Sequence, residues 1–234
     1  MNDTITAIAT PTGEGGVSII RISGTDAPTI ARKLFRTPAG KPANEFTSHK
    51  IYYGSIHDPA TGECIDEVVL TWFQAPKSYT GEDVIEICAH GGMFVSSRIL
   101  GLALDHCARP AEPGEFTRRA FMNGRIDLSQ AEAVADLIAA ASDKALQSAL
   151  TQLKGHLSKK VNALYDRLLS VLSQIEAAID FPEEGLDLQK RETSINEVQQ
   201  VRYEIDVLSN TYRQGKIFRE GASVALVGKP NVGK

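Results

Sequence analysis

The residues Gly228-Lys229-Pro230-Asn231-Val232-Gly233-Lys234 read G-x-x-x-x-G-K, a spacing suited to holding phosphate. Glycines let backbone N–H groups curl around phosphate oxygens, and the lysine carries charge toward the β- and γ-phosphates. Background Gly and Lys frequencies place this pattern in roughly one chain in fifteen of this length, so its weight rests on context. Ala222–Val227 is a short, apolar, β-branched run leading straight into Gly228, as a buried first strand should. The competing reading is a Gly-rich tail. The Ser or Thr that would hold Mg²⁺ belongs one position after Lys234, with the helix, the second Mg²⁺ ligand and the base-reading loops further on. The expectation is therefore the front part of a longer nucleotide hydrolase, its catalytic residues beyond residue 234. Within the loop Asn231 stands out. Its amide oxygen suits a monovalent cation beside the phosphates, or its side chain supports the turn; residue type alone favours the turn.

Three charged residues in the front half sit where charge is costly unless used. Arg21 lies in Val17-Ser18-Ile19-Ile20-Arg21-Ile22, on the strand face shared with Val17 and Ile19. Glu86 lies in Val84-Ile85-Glu86-Ile87-Cys88, on the face of Val84 and Cys88. A charge alternating with apolar neighbours on a sheet is paired, solvent-facing or reading a ligand. The plainer readings, a surface position or an Arg–Glu pair, stand first. Arg125 follows Asn123-Gly124, a helix C-terminal stop, and reads as a structural or solvated loop cation at a domain boundary.

These residues need a scaffold. The first hundred positions read as mixed α+β: strands over Thr4–Ala9 and Val17–Ser23 are joined by a Gly-rich turn at 10–16. Gly13, Gly15 and Gly16 make a poor dinucleotide fingerprint, because a strand follows them. Pro28 opens a short helix whose Ile30, Ala31 and Leu34 share a face. Ile51–Ile56 and Glu67–Phe73 suggest a hairpin with a longer loop. Asp83–Cys88 is another strand, and His90-Gly91-Gly92 turns the chain into a helix over about 93–107. The irregular alternation favours an antiparallel or mixed sheet over a doubly wound one.

After Pro110 and Pro113 the chain becomes helical. Asp127 and Gln130 form a D-x-x-Q capping box. Leu146, Leu150, Leu153, Leu157, Val161, Leu164, Leu168, Val171, Ile175 and Ile179 step by threes and fours, which predicts a long helix with a packed seam. Asp180-Phe181-Pro182 stops it. Ser194 and Glu197 read as the cap of another helix, with a seam of Ile195, Val198, Ile205, Leu208 and Tyr212. Two such helices leave apolar faces open, which implies further helices, a partner subunit, or both; cover from the N-terminal domain is the alternative.

Composition sets the class. Hydrophobic residues make up 42% and charged residues 23%, an ordinary globular balance, and the net charge of −4 argues against a broadly basic nucleic-acid binder. The basic pairs Arg118-Arg119, Lys159-Lys160 and Lys190-Arg191 read as solvated helix faces or ends. Cys64, Cys88 and Cys107 are widely spaced and odd in number, as expected of reduced cytoplasmic thiols. Neither Cys88 with His90 nor His106 with Cys107 has zinc-site spacing. No apolar stretch approaches the ~20 residues of a bilayer span, and the N-terminus lacks signal-peptide features. A cytoplasmic location with no membrane partner is expected.

The motifs taken together resemble a known family. Asp3-Thr4-Ile5, Gly15-Gly16-Val17, Ile20-Arg21-Ile22-Ser23-Gly24, Tyr79-Thr80-Gly81-Glu82-Asp83, His90-Gly91-Gly92, Arg109-Pro110, Pro113-Gly114-Glu115-Phe116-Thr117-Arg118-Arg119-Ala120-Phe121, Asp127-Leu128, Gln130-Ala131-Glu132-Ala133 and Ala177-Ala178-Ile179-Asp180-Phe181-Pro182 are similar, in this order, to the tRNA-modification GTPase MnmE (TrmE) family. The match runs from residue 3 to residue 234. The resemblance implies an α+β folate-binding and dimerisation domain over 1–120, akin to glycine-cleavage aminomethyltransferases. It implies the first segment of an all-α helical domain over 121–215, then the first strand of an α/β P-loop GTPase domain over 216–234.

Carried over by position, Arg21, Glu86 and Arg125 would bind 5-formyltetrahydrofolate or a related tetrahydrofolate. Asn231 would be a K⁺ ligand, and Asn231, Val232, Gly233 and Lys234 would contact GTP phosphates. The implied activity is a K⁺-dependent, Mg²⁺-dependent GTPase that acts as a homodimer. With an FAD-dependent partner of MnmG/GidA type it would place an aminomethyl or carboxymethylaminomethyl group on the wobble uridine of certain tRNAs. Two rival readings are a folate-dependent aminomethyltransferase-like protein and a folate-binding dimerisation scaffold without its own catalysis.

Overall fold

Buried isoleucines decide the sheet. In strand β2 (Val17–Ser23) Ser18, Ile20 and Ile22 are buried while Val17, Ile19 and Arg21 are not. Strand β6 (Val84–His90) buries Ile85, Ile87 and Ala89 and leaves Glu86 and Cys88 half-buried. The two strands run antiparallel with Ile20 opposite Ile87 and Ile22 opposite Ile85. A slip of one residue would turn both isoleucine rows to the other face, so their burial sets the register. Arg21 is thereby placed opposite Glu86.

The computed structural model describes residues 3–11, 13–41, 46–180, 188–211, 215, 225, 227 and 228. The chain divides into two compact units, Met1–Ile126 and Asp127–Lys234. In the first unit the remaining strands are β1 (Thr4–Ile8), β3 (Phe35–Arg36), β4 (Ile51–His57), β5 (Cys64–Phe73) and β7 (Ala108–Pro110). They form one sheet in the order β3-β4-β5-β6-β2-β1-β7. All neighbours are antiparallel except β1 and β7. The sheet is therefore mixed, as expected. The short strands β3 and β7 escape sequence reading: one has two residues and the other ends on Pro110, too little for a period-2 pattern.

Helices α1 (Ala27–Leu34) and α2 (Met93–Asp105) contribute to the core beneath this sheet. Ile30, Ala31, Leu34, Ile99 and Ala103 pack with Ile20, Ile22, Leu70 and Ile87 in one cluster, all essentially without exposure. At ~1.5–3 kcal/mol per fully buried aliphatic side chain, this cluster supplies the main stabilisation of the unit. Helix α3 (Glu115–Met122) starts at Gly114, whose φ of 74° opens the turn. Gly91 matters for a different reason: a Cβ there would collide with the Gly15 carbonyl, so the Gly-rich turn can lie against the end of β6.

The second unit begins as read. Asp127 accepts from the Gln130 amide at 2.9 Å, and the Gln130 side chain accepts from the Asp127 amide at 3.0 Å, closing the capping box on α4 (Leu128–Ala139). The long helix expected across Leu146–Ile179 is instead two, α5 (Asp143–Leu153) and α6 (His156–Asp180). Gly155, at φ 76°, takes the left-handed conformation that ends a helix, and the apolar rhythm runs on through the break. Ser142 caps α5 by accepting from the Ala145 amide at 3.2 Å. Helix α6 ends at Asp180, as expected; Phe181 and Pro182 lie outside the described residues. Helix α7 (Leu188–Asn210) starts six residues before Ser194, which is therefore interior and not a cap. The good helix formers of 188–193 carry the helix upstream of the S-x-x-E signal. Tyr212 of the expected seam also lies outside the described residues. The architecture is α+β followed by all-α.

Candidate functional site

The sheet face opposite the core carries the charges. Arg21 Nε donates to Glu86 Oε1 at 2.8 Å, and its Nη2 lies 2.7 Å from the same oxygen. The guanidinium carbon also lies over the rings of Tyr79 and Phe116, 5.4 Å from each centroid. Each cation–ring contact is worth ~0.5–1 kcal/mol at such a site, and a partly exposed ion pair about as much. These modest energies hold the cation in place while leaving it able to exchange partners. Arg21 and Glu86 keep 24% and 27% side-chain exposure, so a ligand can reach both. The Arg–Glu pair left open by the sequence is thus present.

Arg125 is exposed and donates from Nε to the Ser78 carbonyl at 3.3 Å. Ser78 precedes Tyr79, whose hydroxyl shares a 2.8 Å hydrogen bond with Thr117 on α3. The structure therefore joins Arg21 and Glu86 directly and ties Arg125 to the segment bearing Tyr79. Tyr79 and Phe116 are site residues that periodicity missed. They lie in a turn and at the start of a short helix, where no repeat marks them.

Beside this pair lies a denser network. Arg119 is 1% exposed, not solvated as the basic-pair reading of Arg118-Arg119 expected. It donates to the Asp3 carbonyl and carboxylate at 2.8 Å each, to Glu82 at 3.1 and 3.2 Å, and to Glu115 Oε1 at 3.1 Å. Asp3 and Glu82 from distant segments, with Glu115 one turn back on the same helix, explain why a cation tolerates burial there. Arg118, its neighbour, is about half exposed, as expected of a helix-end cation. Arg109 grips Glu115 with two nitrogens at 2.6 and 2.9 Å. The Arg109 hydrogen bond holds the Glu115 carboxyl down at about 2, outweighing the burial that opposes it. The same arginine lowers the Asp3 carboxyl. Ser23 donates to Glu82 at 2.8 Å and shares a bond of equal length with Thr80. The Glu115/Arg119 spacing of four residues is the signal that marks this pair in the sequence.

Asn231, Val232, Gly233 and Lys234 lie outside the described residues. Of the run expected as a first strand, Ala225 and Val227 are described; neither is in a strand, and Val227 is 95% exposed. All three cysteines are free thiols. Among the described residues no group of three or more His, Cys, Asp or Glu side chains is placed to hold a metal ion, and no helix is long and apolar enough to cross a membrane.

Comparison with known proteins supplies the context. The family model for the GTP-binding protein TrmE N-terminus matches residues 4–125, and that for the MnmE helical domain matches residues 128–223. The chain is similar to proteins named tRNA modification GTPase MnmE. That of Levilactobacillus brevis is 50% identical over 99% of this chain and 50% of its own length. That of Bacillus velezensis is 49% identical over 99% of this chain and 51% of its own, and that of Geobacillus thermodenitrificans 49% over 99% and 50%. The chain spans about half the length of these curated relatives.

Proposed function

We propose, from the premise that this chain belongs to the MnmE (TrmE) family of tRNA-modification GTPases, that it serves a K⁺-dependent GTPase whose folate-binding module is residues 1–126. In this reading the protein works as a cytoplasmic homodimer with an FAD-dependent partner of MnmG/GidA type. It uses a tetrahydrofolate one-carbon donor to modify the wobble uridine of certain tRNAs. The sequence-based expectation starts the helical segment at 121; α3 and Arg125 stay with the first unit, so in this reading the folate module runs to Ile126, the helical segment starts at Asp127, and the last residues open the GTPase domain. A second helical segment would cover the apolar faces of α6 and α7.

One observation carries the folate assignment: Arg21 and Glu86 paired on the open sheet face, beside two aromatic rings and within reach of solvent. A tetrahydrofolate has a flat pterin with N–H donors, ring and formyl oxygens, and an anionic glutamate tail. Glu86 is an acceptor for the N–H groups, Arg21 and Arg125 are cations for the oxygens and tail, and the donor set fits. Bound there, the folate would supply the one-carbon unit. Glu86 orients the ring by accepting, and Arg21 holds an anionic or carbonyl group by donating.

The nucleotide assignment rests on the G-x-x-x-x-G-K sequence. Asn231 would hold K⁺ near the phosphates that Val232, Gly233 and Lys234 contact, with Mg²⁺ ligands beyond Lys234. A cation in that place stabilises developing phosphate charge, a contribution of ~10³–10⁵ in rate when an arginine makes it.

Calorimetric titration of the chain with 5-formyltetrahydrofolate tests the first assignment. Wild type should bind, and Arg21→Ala and Glu86→Ala should each lose binding; unchanged affinity in both variants would remove the site. GTP hydrolysis by the full-length protein in K⁺ against Na⁺ tests the second. Equal rates in the two salts would end the K⁺ reading.

A further inference from the structure

Arg21 meets two rings that come from different parts of the chain, Tyr79 from the 78–83 segment and Phe116 from α3. Neither ring is anchored by the apolar core on the opposite face of the sheet. Both segments are held by the buried cation described above. Arg119 reaches Glu82 in the first segment at 3.1 Å and Glu115 at the start of α3 at 3.1 Å. Glu115 is the residue before Phe116, and Thr117 closes the loop by its hydrogen bond to the Tyr79 hydroxyl. Arg119 is itself on α3, three residues after Phe116, so its guanidinium ties that helix to the 78–83 segment through Glu82, while Glu115, one turn back on the same helix, holds the guanidinium in place.

We infer that Arg119 is a positioning residue for the Arg21–Glu86 site: by tying α3 to Glu82 it sets the distance between Phe116 on that helix and Tyr79, and so the placement of the Arg21 cation between ring faces and carboxylate. Arginine suits this task because its planar fork serves several carboxylates at fixed angles, whereas a lysine ammonium cannot span them in the same geometry. The inference rests on the folate reading only for the identity of the ligand. The placement of Arg21 stands apart from it.

Both halves are tested on the whole 234-residue chain. In proton–nitrogen spectra the Arg21 Nε–H signal, assigned through Arg21→Lys, should carry a ring-current shift. Arg119→Lys should move it toward the position of a free arginine. Thr117→Val, which leaves every ion pair intact, should move it partway, and this variant carries the test if Arg119→Lys does not fold. In calorimetric titration with 5-formyltetrahydrofolate, Arg119→Lys should weaken binding roughly tenfold, the size of a coupling between contacting groups. In a Phe116→Leu background it should cost no more than about twofold, because its route runs through that ring. An unmoved Arg21 signal in both variants overturns the inference, as does an affinity loss equal with and without Phe116. If wild type binds no folate while the Arg21 signal still answers to Arg119, the positioning role stands and the ligand reading alone fails.

Discussion

Arg119 in the first unit and Arg167 in the second each bind more than one carboxylate, in opposite surroundings. Arg119 is 1% exposed and joins segments from residues 3, 82 and 115. Arg167 is about a third exposed and joins α6 to Glu197 and Glu204 on α7. Hydrocarbon follows the same division. The first unit buries Ile20, Ile22, Ile85 and Ile87 completely on one face of a sheet. The helical unit buries Leu164, Val171 and Val201 but leaves Leu172, Ile175 and Ile179 between 43% and 70% exposed. The first unit thus holds its structure with its own interior. The second leaves apolar side chains of α6 exposed, and its Arg167 pairs sit where water already screens them.

Five substitutions and one titration can break this contrast, and the buried cation offers the largest effect. Arg119→Met should cost about 3–5 kcal/mol, because Asp3, Glu82 and Glu115 lose their shared partner. Urea unfolding followed by the fluorescence of Trp72, the single tryptophan, reads the first unit alone. Next, Ile87→Ala in the closed core should cost about 2–5 kcal/mol by the same measurement. Ile175→Ala on α6 should cost about 1 kcal/mol or less by far-UV circular dichroism. Equal costs for the two isoleucines would erase the distinction between the units.

Acid sharpens the contrast. Glu115 is held at about 2 against an ordinary 4.5. Because its folded carboxyl titrates lower than its unfolded one, the stabilisation is fully present above the unfolded value. It is lost as pH falls through the folded one. The amount is on the order of 3 kcal/mol, so Trp72-detected stability should decline from about pH 5 toward about pH 2, and Glu115→Gln should flatten that decline. The cap is a small effect of the same order as Ile175→Ala: Asp127→Ala should cost the helical unit about 1 kcal/mol, read as an earlier loss of helical signal. A cost above about 3 kcal/mol would mean that Asp127 does more than end a helix.

Local signals were readable where local physics decides. Alternation in Val17–Ser23 and Val84–Cys88, the Pro28 helix start and the Asp127–Gln130 box all depend on neighbours a few residues away, and all appear in the structure. The apolar rhythm from Leu146 to Ile179 misled because it survives a break at Gly155, where backbone conformation rather than side-chain pattern stops the helix. Ser194 misled in the opposite sense: its cap signal sits inside a helix that propensity extends upstream. At the candidate site, Arg21 and Glu86 were visible as charges on strands, yet their pairing was one option among three. Tyr79 and Phe116 lie outside any periodic pattern, so only family motifs marked their segments.

By itself the chain determined the faces of its longer strands, the starts of α1 and α4, its mixed α+β then all-α order, and the phosphate-type loop pattern at its end. Tertiary structure alone decided which charges meet: Arg21 and Glu86 stand 65 residues apart, and Arg119 and Asp3 stand 116 apart. The reason is the reach of the forces. A residue's backbone preference is set within a turn or two of chain, but its burial and its ionic partners are set by whichever distant segment the packed isoleucines bring alongside.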